Sequence, residues 1–196
     1  MPATPPLILA SGSPRRSDLL KEAGFDFIVI KPDVEENEDC TVPIRTLTAE
    51  NAKLKAAAVS QQHPDAVVIA ADTLVLLGDT VLTKPEDQDE ARRMLESLNG
   101  RSHQVFTAVS ILQESAGKQH RFTVSTDVHF KNLTADEMTG YHAKINPMDK
   151  AGAYAAQEHG NLIIERIEGS MTNVIGLPMK AVIQALEEQF GITLQS

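Results

Sequence analysis

The chain is 196 residues long, 42% of them hydrophobic, with a formal net charge of −9 from 18 basic and 27 acidic side chains. This composition fits one globular domain spanning residues 1–196 and excludes a collagen-like, low-complexity or wholly disordered protein. The acidic balance argues against a nucleic-acid-binding scaffold, because a phosphate backbone is bound by a positive surface. A local cluster of Arg and Lys is therefore informative.

The sequence carries no sign of secretion or of a membrane span. Its single cysteine, Cys40, permits no internal disulfide, which fits a reducing compartment. Residues 1–6 lack the basic segment of a signal peptide, and the apolar run that follows is too short for one. No apolar run reaches membrane-spanning length. We expect a cytoplasmic protein that binds neither a membrane nor nucleic acid.

The first part of the chain predicts a strand, a tight turn and a helix. Residues 7–10 form an apolar run typical of a buried strand, and a helical pattern follows at residues 15–23. Ser13 suits the N-cap of that helix, Pro14 suits its first position, and Gly24 suits its C-cap. These local signals place a turn of small and polar residues directly before a helix N-terminus.

The rest of the chain continues this alternation and predicts an α/β fold with a mixed sheet. The predicted elements are a strand at 25–30, an acidic loop at 33–39, a helix at 47–59, a buried strand at 66–71 ending at Asp72, a hairpin at 74–82 turning at Gly78-Asp79, a helix at 87–98, strands at 104–112 and 122–130, a helix from the Thr134/Glu137 capping box to residue 144, a strand at 162–167 and a helix at 177–190.

The segment Ser11-Gly12-Ser13-Pro14-Arg15-Arg16 is the first candidate site, because it joins a strand to a helix. The free N–H groups and the positive dipole end of a helix N-terminus favour a phosphate, and arginine adds bidentate hydrogen bonds. A capped surface helix with two solvated arginines is an equally weighted alternative. The phosphate loops G-x-x-x-x-G-K-[ST] and G-x-G-x-x-G do not occur, which disfavours a P-loop kinase and a Rossmann dehydrogenase.

Asp72 is the second candidate, since a carboxylate at the end of a buried strand lies at the usual ligand edge of an α/β sheet. It fits a general base, a ligand of a divalent metal, or a simple cap of the following turn. Glu35 and Glu36, in the acidic run, are either solvated or supply a metal ligand brought beside Asp72. Lys53 and Lys55 flank the apolar stripe of the helix at 47–59, and periodicity does not choose between them.

Taken in order, the segments of the chain resemble the Maf family of nucleoside triphosphate pyrophosphatases over nearly its whole length. Each fragment is weak alone, but six or more in order at compatible spacing make the resemblance specific. The matching segments are Leu9-Ala10-Ser11-Gly12-Ser13-Pro14-Arg15-Arg16, Val34-Glu35-Glu36, Lys55-Ala56, Ala71-Asp72-Thr73, Thr83-Lys84-Pro85, Asp149-Lys150-Ala151-Gly152-Ala153-Tyr154, Gln157 and Asn173-Val174-Ile175-Gly176-Leu177-Pro178.

The resemblance implies hydrolysis of a nucleoside triphosphate to the monophosphate and pyrophosphate. The implied cofactor is a divalent metal cation, Mg²⁺ or Mn²⁺. The implied fold is an elongated, mixed, twisted sheet flanked by helices, with two lobes around a central cleft, as in proteins of the Maf and inosine triphosphatase type. The implied assembly is a homodimer.

The same resemblance assigns roles to individual residues. Asp72 matches the catalytic base, which activates water, and it is also a candidate metal ligand. Glu36 matches an acidic position that helps to hold the metal. The phosphate-site positions are matched by Ser11, Ser13, Arg15, Arg16, Lys55 and Lys84. The resemblance thus favours Lys55 over Lys53.

Three positions separate the subgroups of the family, and here they hold Arg15, Thr73 and Gln157. These identities resemble the branch that acts on dTTP and UTP. A glutamine side chain presents both an amide donor and a carbonyl acceptor to a pyrimidine edge. The chain departs from the family after Gln157, where Glu158-His159-Gly160 replaces small residues rich in glycine.

Two other functions are consistent with these residues. The first is a pyrophosphatase for a modified purine nucleotide such as inosine triphosphate. The second is a nucleotide-sensing protein without turnover, since the Maf family has been linked to septum formation in cell division. In that second case Asp72 would be dispensable.

Overall fold

The computed structural model describes residues 5–194. Residues 1–4, which belong to the segment considered for a signal peptide, and residues 195–196 lie outside this range. The strands are β1 (Leu7–Ala10), β2 (Ile28–Ile30), β3 (Val67–Leu77), β4 (Thr80–Leu82), β5 (Ser102–Gln113), β6 (Lys118–Phe130) and β7 (Ile164–Glu168). The α-helices are α1 (Pro14–Glu22), α2 (Ile44–Ser60), α3 (Gln88–Leu98), α4 (Ala135–His142), α5 (Met171–Ile175) and α6 (Met179–Ala185).

The strands in the described part of the chain form one mixed seven-stranded sheet in the order β2-β1-β3-β5-β6-β7, with β4 paired to β3. β1 is parallel to both β2 and β3, whereas β4 is antiparallel to β3 and β7 is antiparallel to β6. Strands and helices alternate along the chain, and parallel pairs require crossover connections such as helices. The predicted α/β class with a mixed sheet is therefore confirmed.

The chain divides into two compact units. The first comprises the described parts of Met1–Asp72, Thr107–Val124 and Gly176–Ser196, and the second comprises Thr73–Phe106 and Ser125–Ile175. Each unit has its own apolar cluster, which buries Val68 and Ala56 in the first unit and Leu95 and Tyr141 in the second. These units correspond to the two expected lobes. The elongated shape, the cleft and the single catalytic domain remain predictions.

Local sequence signals were reliable guides to the turns and helix ends. The Thr134/Glu137 capping box opens α4 as predicted. The β3–β4 hairpin turns at Gly78-Asp79, because Leu77 pairs directly with Thr80. Gly78 has a φ of +61°, a conformation that this two-residue hairpin turn requires and that glycine adopts without strain.

The predicted end of the third strand was wrong, since β3 continues through Asp72 to Leu77. Residues 67–72 are all buried, whereas buried and half-buried positions mix from Thr73 onward. A strand covered on both faces is apolar at every position, and a strand covered on one face alternates. The end of the apolar run therefore marks the point at which the strand is no longer buried on both faces. The backbone pairing of the strand continues beyond that point.

Other boundaries also differ from the predictions. The second strand is only Ile28–Ile30, and two of its three residues are exposed because β2 lies at the edge of the sheet. The last helix changes after α6 into a π-helical turn over Leu186–Phe190. The short helix α5 was not predicted. Within residues 5–194, no helix is both long enough and apolar enough to cross a membrane.

Candidate functional site

The parallel pairing of β1 and β3 brings the two main candidate segments to the same end of these strands, the end at which β1 finishes. Leu9 of β1 is aligned with Ile69 of β3. Both strands run in the same direction, so Ser11, just after β1, and Asp72, three residues after Ile69, lie toward the same end. This edge is where ligands bind in many α/β sheets.

Lys55 connects two carboxylates at this edge. Its Nζ atom lies 2.8 Å from Oδ1 of Asp72 and 2.6 Å from Oε2 of Glu36. The side chains of Lys55 and Asp72 are each 9% exposed, whereas that of Glu36 is 37% exposed. One ammonium therefore pairs with a buried acid and a partly exposed one, whereas Lys53 is exposed.

The second oxygen of Asp72 has no hydrogen-bond partner among the described residues. Oδ2 is buried, and only Oδ1 is bonded to Lys55. A buried carboxylate oxygen without a partner is costly, and such atoms are rare in folded proteins. The arrangement leaves an acceptor in place for a group that the protein does not supply, such as a water molecule or a metal ion.

The N-terminus of α1 has the predicted residues but a different hydrogen-bond arrangement. Ser13 occupies the N-cap position, yet its hydroxyl makes no capping bond to the helix. Instead, Oγ of Ser11 accepts a hydrogen bond from the backbone N–H of Ser13 at 3.1 Å. The hydroxyl of Ser13 is therefore not used to satisfy the N–H groups of the first turn, which are the groups that bind a phosphate at a helix N-terminus.

Arg16 is fixed on two sides within the first unit. Its Nε donates to the carbonyl of Gly176 at 2.8 Å, and its Nη1 donates to Oγ of Ser11 at 3.3 Å. Burial lowers the pKa of the guanidinium from its ordinary value, whereas the charge of Asp72 opposes that shift and the charge of Arg15 adds to it. Arg16 thus lies within electrostatic range of both Asp72 and Arg15. The N-terminus of α1 and the carboxylate of Asp72 therefore belong to one charged cluster.

The segment that carries Glu36 is held by a residue that the sequence did not single out. Oδ1 of Asn51 accepts from the backbone N–H of Asn37 at 2.8 Å, and Nδ2 of Asn51 donates to the carbonyl of Asn37 at 2.9 Å. Asn51 lies one helical turn before Lys55 on α2. The i, i+4 spacing of Asn51 and Lys55 indicates in the sequence that both side chains lie on one face of the helix. It does not indicate which loop the side chain of Asn51 reaches.

The other predicted site residues belong to the second unit. Thr73 is half-buried in β3, and Lys84 is exposed between β4 and α3. Gln157 is exposed, and its Nε2 donates to Oε1 of Glu158 at 3.4 Å. The neighbouring Lys150 is buried, with its Nζ 3.7 Å from the same oxygen of Glu158.

Seven of the ten predicted site residues therefore belong to the first unit. The second unit holds the remaining three. The first set is Ser11, Ser13, Arg15, Arg16, Glu36, Lys55 and Asp72, and the second set is Thr73, Lys84 and Gln157.

The donor set around Asp72 fits a metal ion that is shared with a bound phosphate. Within residues 5–194 there is no group of three or more His, Cys, Asp or Glu side chains suited to a metal. Mg²⁺ is usually held by one or two carboxylates, with phosphate oxygens and water completing its shell. Asp72 and Glu36 are two carboxylates that share the ammonium of Lys55, and Oδ2 of Asp72 is an unpartnered oxygen. These residues suit such a shared ion.

Comparison with known proteins adds independent information. The sequence profile described as Maf-like protein matches residues 6–189. A dTTP/UTP pyrophosphatase of Akkermansia muciniphila is 47% identical, with 93% of this chain and 95% of that protein covered. Proteins of the same name from Deinococcus radiodurans and Vibrio parahaemolyticus are 45% and 43% identical, covering 95% and 93% of this chain and 95% and 96% of their own lengths.

Among solved structures, a HAM1 protein from Coxiella burnetii is similar over part of the chain. The two are 15% identical, with a TM-score of 0.45, and the match covers 64% of this chain and 73% of the other.

Proposed function

Because the chain belongs to the Maf family, we propose that it is a nucleoside triphosphate pyrophosphatase that hydrolyses dTTP and UTP to the monophosphate and pyrophosphate. Relatives named dTTP/UTP pyrophosphatase that are 43–47% identical over at least 93% of this chain support the substrate class. The identities of Arg15, Thr73 and Gln157 support the same branch of the family.

The observation that carries this proposal is the carboxylate of Asp72. Lys55 holds Oδ1 at 2.8 Å, which fixes the orientation of the carboxylate, and Oδ2 remains buried without a partner. A general base needs an acceptor oxygen that is positioned and is not already bonded to the protein. Oδ2 of Asp72 meets both requirements.

The reaction we propose is an in-line attack of water on the α-phosphorus. A bond forms between the water oxygen and the phosphorus, the bond from the α-phosphorus to the bridging oxygen breaks, and the proton of the water passes to Oδ2 of Asp72. Pyrophosphate leaves with the bridging oxygen. Charge neutralisation and positioning supply most of the barrier reduction in phosphoryl transfer.

The cationic residues have separate parts in this scheme. Arg15 and Arg16 at the α1 N-terminus bind phosphate oxygens through charged hydrogen bonds. Ser11 orients Arg16, since its hydroxyl accepts from Nη1. Lys55 keeps the carboxylates of Asp72 and Glu36 side by side. The family resemblance adds Ser13 and Lys84 to the phosphate contacts.

A divalent cation, Mg²⁺ or Mn²⁺, would be held by Glu36 and by Asp72 through the oxygen that does not take the proton, and it would neutralise charge on the phosphate oxygens. The donor set described above supports this choice, because it contains carboxylates and no histidine or cysteine. Removal of divalent cations with a chelator is expected to abolish turnover.

Base recognition is assigned to Gln157. Its Nε2 donates to Oε1 of Glu158 at 3.4 Å, which uses one N–H of the amide and sets the direction of its carbonyl oxygen. Uracil and thymine carry an N3–H donor, whereas N3 of cytosine is an acceptor. A carbonyl that accepts from the N3–H therefore favours dTTP and UTP over CTP.

The test is pyrophosphate release by the purified protein with Mg²⁺ and each of dTTP, UTP, CTP, GTP, ITP and 7-methyl-GTP. Release from dTTP and UTP that is lost in Asp72→Asn is the expected result. Release from a purine nucleotide alone would identify the purine pyrophosphatase instead. Measurable nucleotide binding without release from any nucleotide would favour the sensor function.

The family resemblance also implies a homodimer, and the sequence implies a cytoplasmic location. Light scattering tests the homodimer, and cell fractionation tests the cytoplasmic location.

A further inference from the structure

Asn51 binds the backbone of Asn37 through both polar atoms of its side chain. Its Oδ1 accepts from the Asn37 N–H at 2.8 Å, and its Nδ2 donates to the Asn37 carbonyl at 2.9 Å. Asn51 is only 4% exposed, whereas Asn37 is exposed, so the bonds are partly shielded from water. A planar amide that makes two such bonds sets both the position and the orientation of the peptide it holds.

The peptide held in this way is next to Glu36. Glu36 directly precedes Asn37, and its Oε2 lies 2.6 Å from Nζ of Lys55. Asn51 and Lys55 are four residues apart on α2, so their side chains project from the same face of the helix. One helix face therefore holds the loop twice, through its backbone at Asn37 and through its carboxylate at Glu36.

The rest of this loop has little else to hold it. Residues 31–39 form no helix or strand, and most of them are exposed. The other hydrogen bonds at its tip are local, from the N–H of Asp39 to Oδ1 of Asn37 and from Thr41 to Oδ1 of Asp39. Such bonds shape a turn, but they do not attach the loop to the sheet.

Opposite charges attract the side chain of Glu36, but they do not fix the backbone that carries it. Nζ of Lys55 lies 2.6 Å from Oε2 of Glu36, and Arg16 also interacts electrostatically with Glu36. The ammonium of Lys55 is shared with Asp72, whose charge repels that of Glu36. The two bonds from Asn51 to Asn37 add a neutral contact that fixes the backbone next to Glu36.

We propose that Asn51 is a positioning residue that keeps Glu36 beside Lys55 and Asp72 and thereby sets the rate of the chemical step. The inference rests on the pyrophosphatase function proposed above. Asn51 acts through Glu36 and does not touch the reacting atoms. Loss of this side chain is expected to free the loop while the core around α2 stays packed. The hydrogen bonds of Asn51 go to the loop, whereas Ala56 and Val59 of the same helix pack in the apolar core.

The first test compares Asn51→Ala with a matched control, Thr48→Val. Thr48 is also buried on α2, but its hydroxyl donates only to carbonyls of the same helix, Ile44 and Arg45. Asn51→Ala is expected to lower kcat by about 10- to 100-fold, since small misplacements near reacting groups have effects of this size. Its effect on KM is expected to be much smaller. Thr48→Val is expected to change kcat less than about twofold.

A double-mutant cycle with Glu36→Gln separates positioning from a general structural effect. If Asn51 acts through Glu36, Asn51→Ala has little further effect on kcat once Glu36 is replaced. An equal fall in kcat in both backgrounds overturns the proposal. If Asn51→Ala does not fold, Asn51→Ser takes its place, because serine stays polar and uncharged but lacks the amide that makes both bonds to Asn37, and it is expected to show the same dependence on Glu36.

A measurement without substrate keeps this test independent of the proposed function. Hydrogen–deuterium exchange over residues 33–39 is expected to become faster in Asn51→Ala and to stay unchanged in Thr48→Val. Unchanged exchange in Asn51→Ala would show that Asn51 does not hold the loop. Absence of pyrophosphate release by the unaltered protein overturns the proposed function and with it the assigned role in catalysis, whereas the exchange data still decide whether Asn51 holds the loop.

Discussion

Lys55 and Asp72 form a buried ion pair in which Nζ lies 2.8 Å from Oδ1. The same Nζ lies 2.6 Å from Oε2 of Glu36, so the lysine pairs with two acids. Burying an ion pair costs desolvation of both groups, and apolar replacements of such pairs are often no less stable. The pair is therefore better explained by what it holds in place than by stability: it orients one oxygen of Asp72 and leaves the other unbonded.

Asp72→Asn is expected to reduce turnover far more than it reduces stability. The amide keeps the size of the carboxylate but lacks its basicity, and loss of a general base costs about 10²- to 10⁴-fold in rate. Glu36 remains to pair with Lys55, so the free energy of unfolding is expected to change by no more than about 2 kcal/mol. Steady-state kinetics and urea unfolding of the same preparation check both parts. Near-normal turnover in the folded variant would rule out Asp72 as the base.

Lys55→Met is expected to destabilise the fold by about 3–5 kcal/mol, because it leaves the carboxylate of Asp72 buried without the counter-charge that is bonded to it. Lys53→Met is the matched control, since Lys53 is exposed on the same helix and is expected to change stability by less than about 0.5 kcal/mol. Adding Asp72→Asn to Lys55→Met should recover part of the loss. Strictly additive effects in urea unfolding would show that the two side chains do not interact.

His103 is expected to make the fold less stable as the pH falls. Burial, and secondarily the charge of His129, lowers the pKa of His103 from 6.5 to about 3, so the folded protein keeps this imidazole neutral. The unfolded chain takes up the proton near its ordinary pKa. Between these two pH values the unfolded state binds more protons, and the free energy of unfolding therefore falls with decreasing pH, by up to about 1.4 kcal/mol per unit for this group.

The variant His103→Gln tests this dependence. Glutamine does not titrate, and its amide can still reach the hydroxyl of Tyr154, which lies 2.8 Å from Nε2 of His103. The free energy of unfolding of the variant, measured in urea from pH 7 to pH 4, should fall less steeply than that of the unaltered protein. Parallel slopes for the two proteins would assign the pH dependence to other groups.

Glu158→Ala is expected to weaken discrimination between UTP and CTP. Without the carboxylate that accepts from Nε2 of Gln157, the amide is free to turn and offer its N–H groups to cytosine. One neutral hydrogen bond corresponds to roughly a fivefold effect on the ratio of kcat/KM values. Glu165→Ala, which removes an exposed acid of β7 in the same unit, should leave the ratio unchanged. An unaltered ratio in Glu158→Ala would mean that Glu158 does not orient Gln157.

Several features of the fold were predictable because their causes are local. The capping box of Thr134 and Glu137, the turn at Gly78-Asp79 and the Pro14 start of α1 each depend on residues within four positions of one another. Alternation of apolar strands with helical patterns then predicted the α/β class. The resemblance of the motifs in order predicted the family, which the profile match over residues 6–189 confirmed.

Contacts between distant segments could not be predicted from local patterns in the sequence. Periodicity left Lys53 and Lys55 equivalent, and only the packing of α2 buries one and exposes the other. The apolar run ended at Asp72, yet β3 continues because a strand needs partners for its backbone and not cover on both faces. Asn51 was missed because its partner, Asn37, lies in a loop without a periodic pattern.

The sequence by itself determined most of the elements, the class of fold and the residue types available for phosphate chemistry, since these follow from short-range preferences and from the order of motifs. Only the tertiary structure decided which of those residues meet. The contact of Lys55 with Glu36 and Asp72, the unbonded oxygen of Asp72 and the tether from Asn51 all depend on how α2 and the acidic loop lie against the sheet. That arrangement is set by burial of apolar surface, which acts between distant parts of the chain and has no local signature.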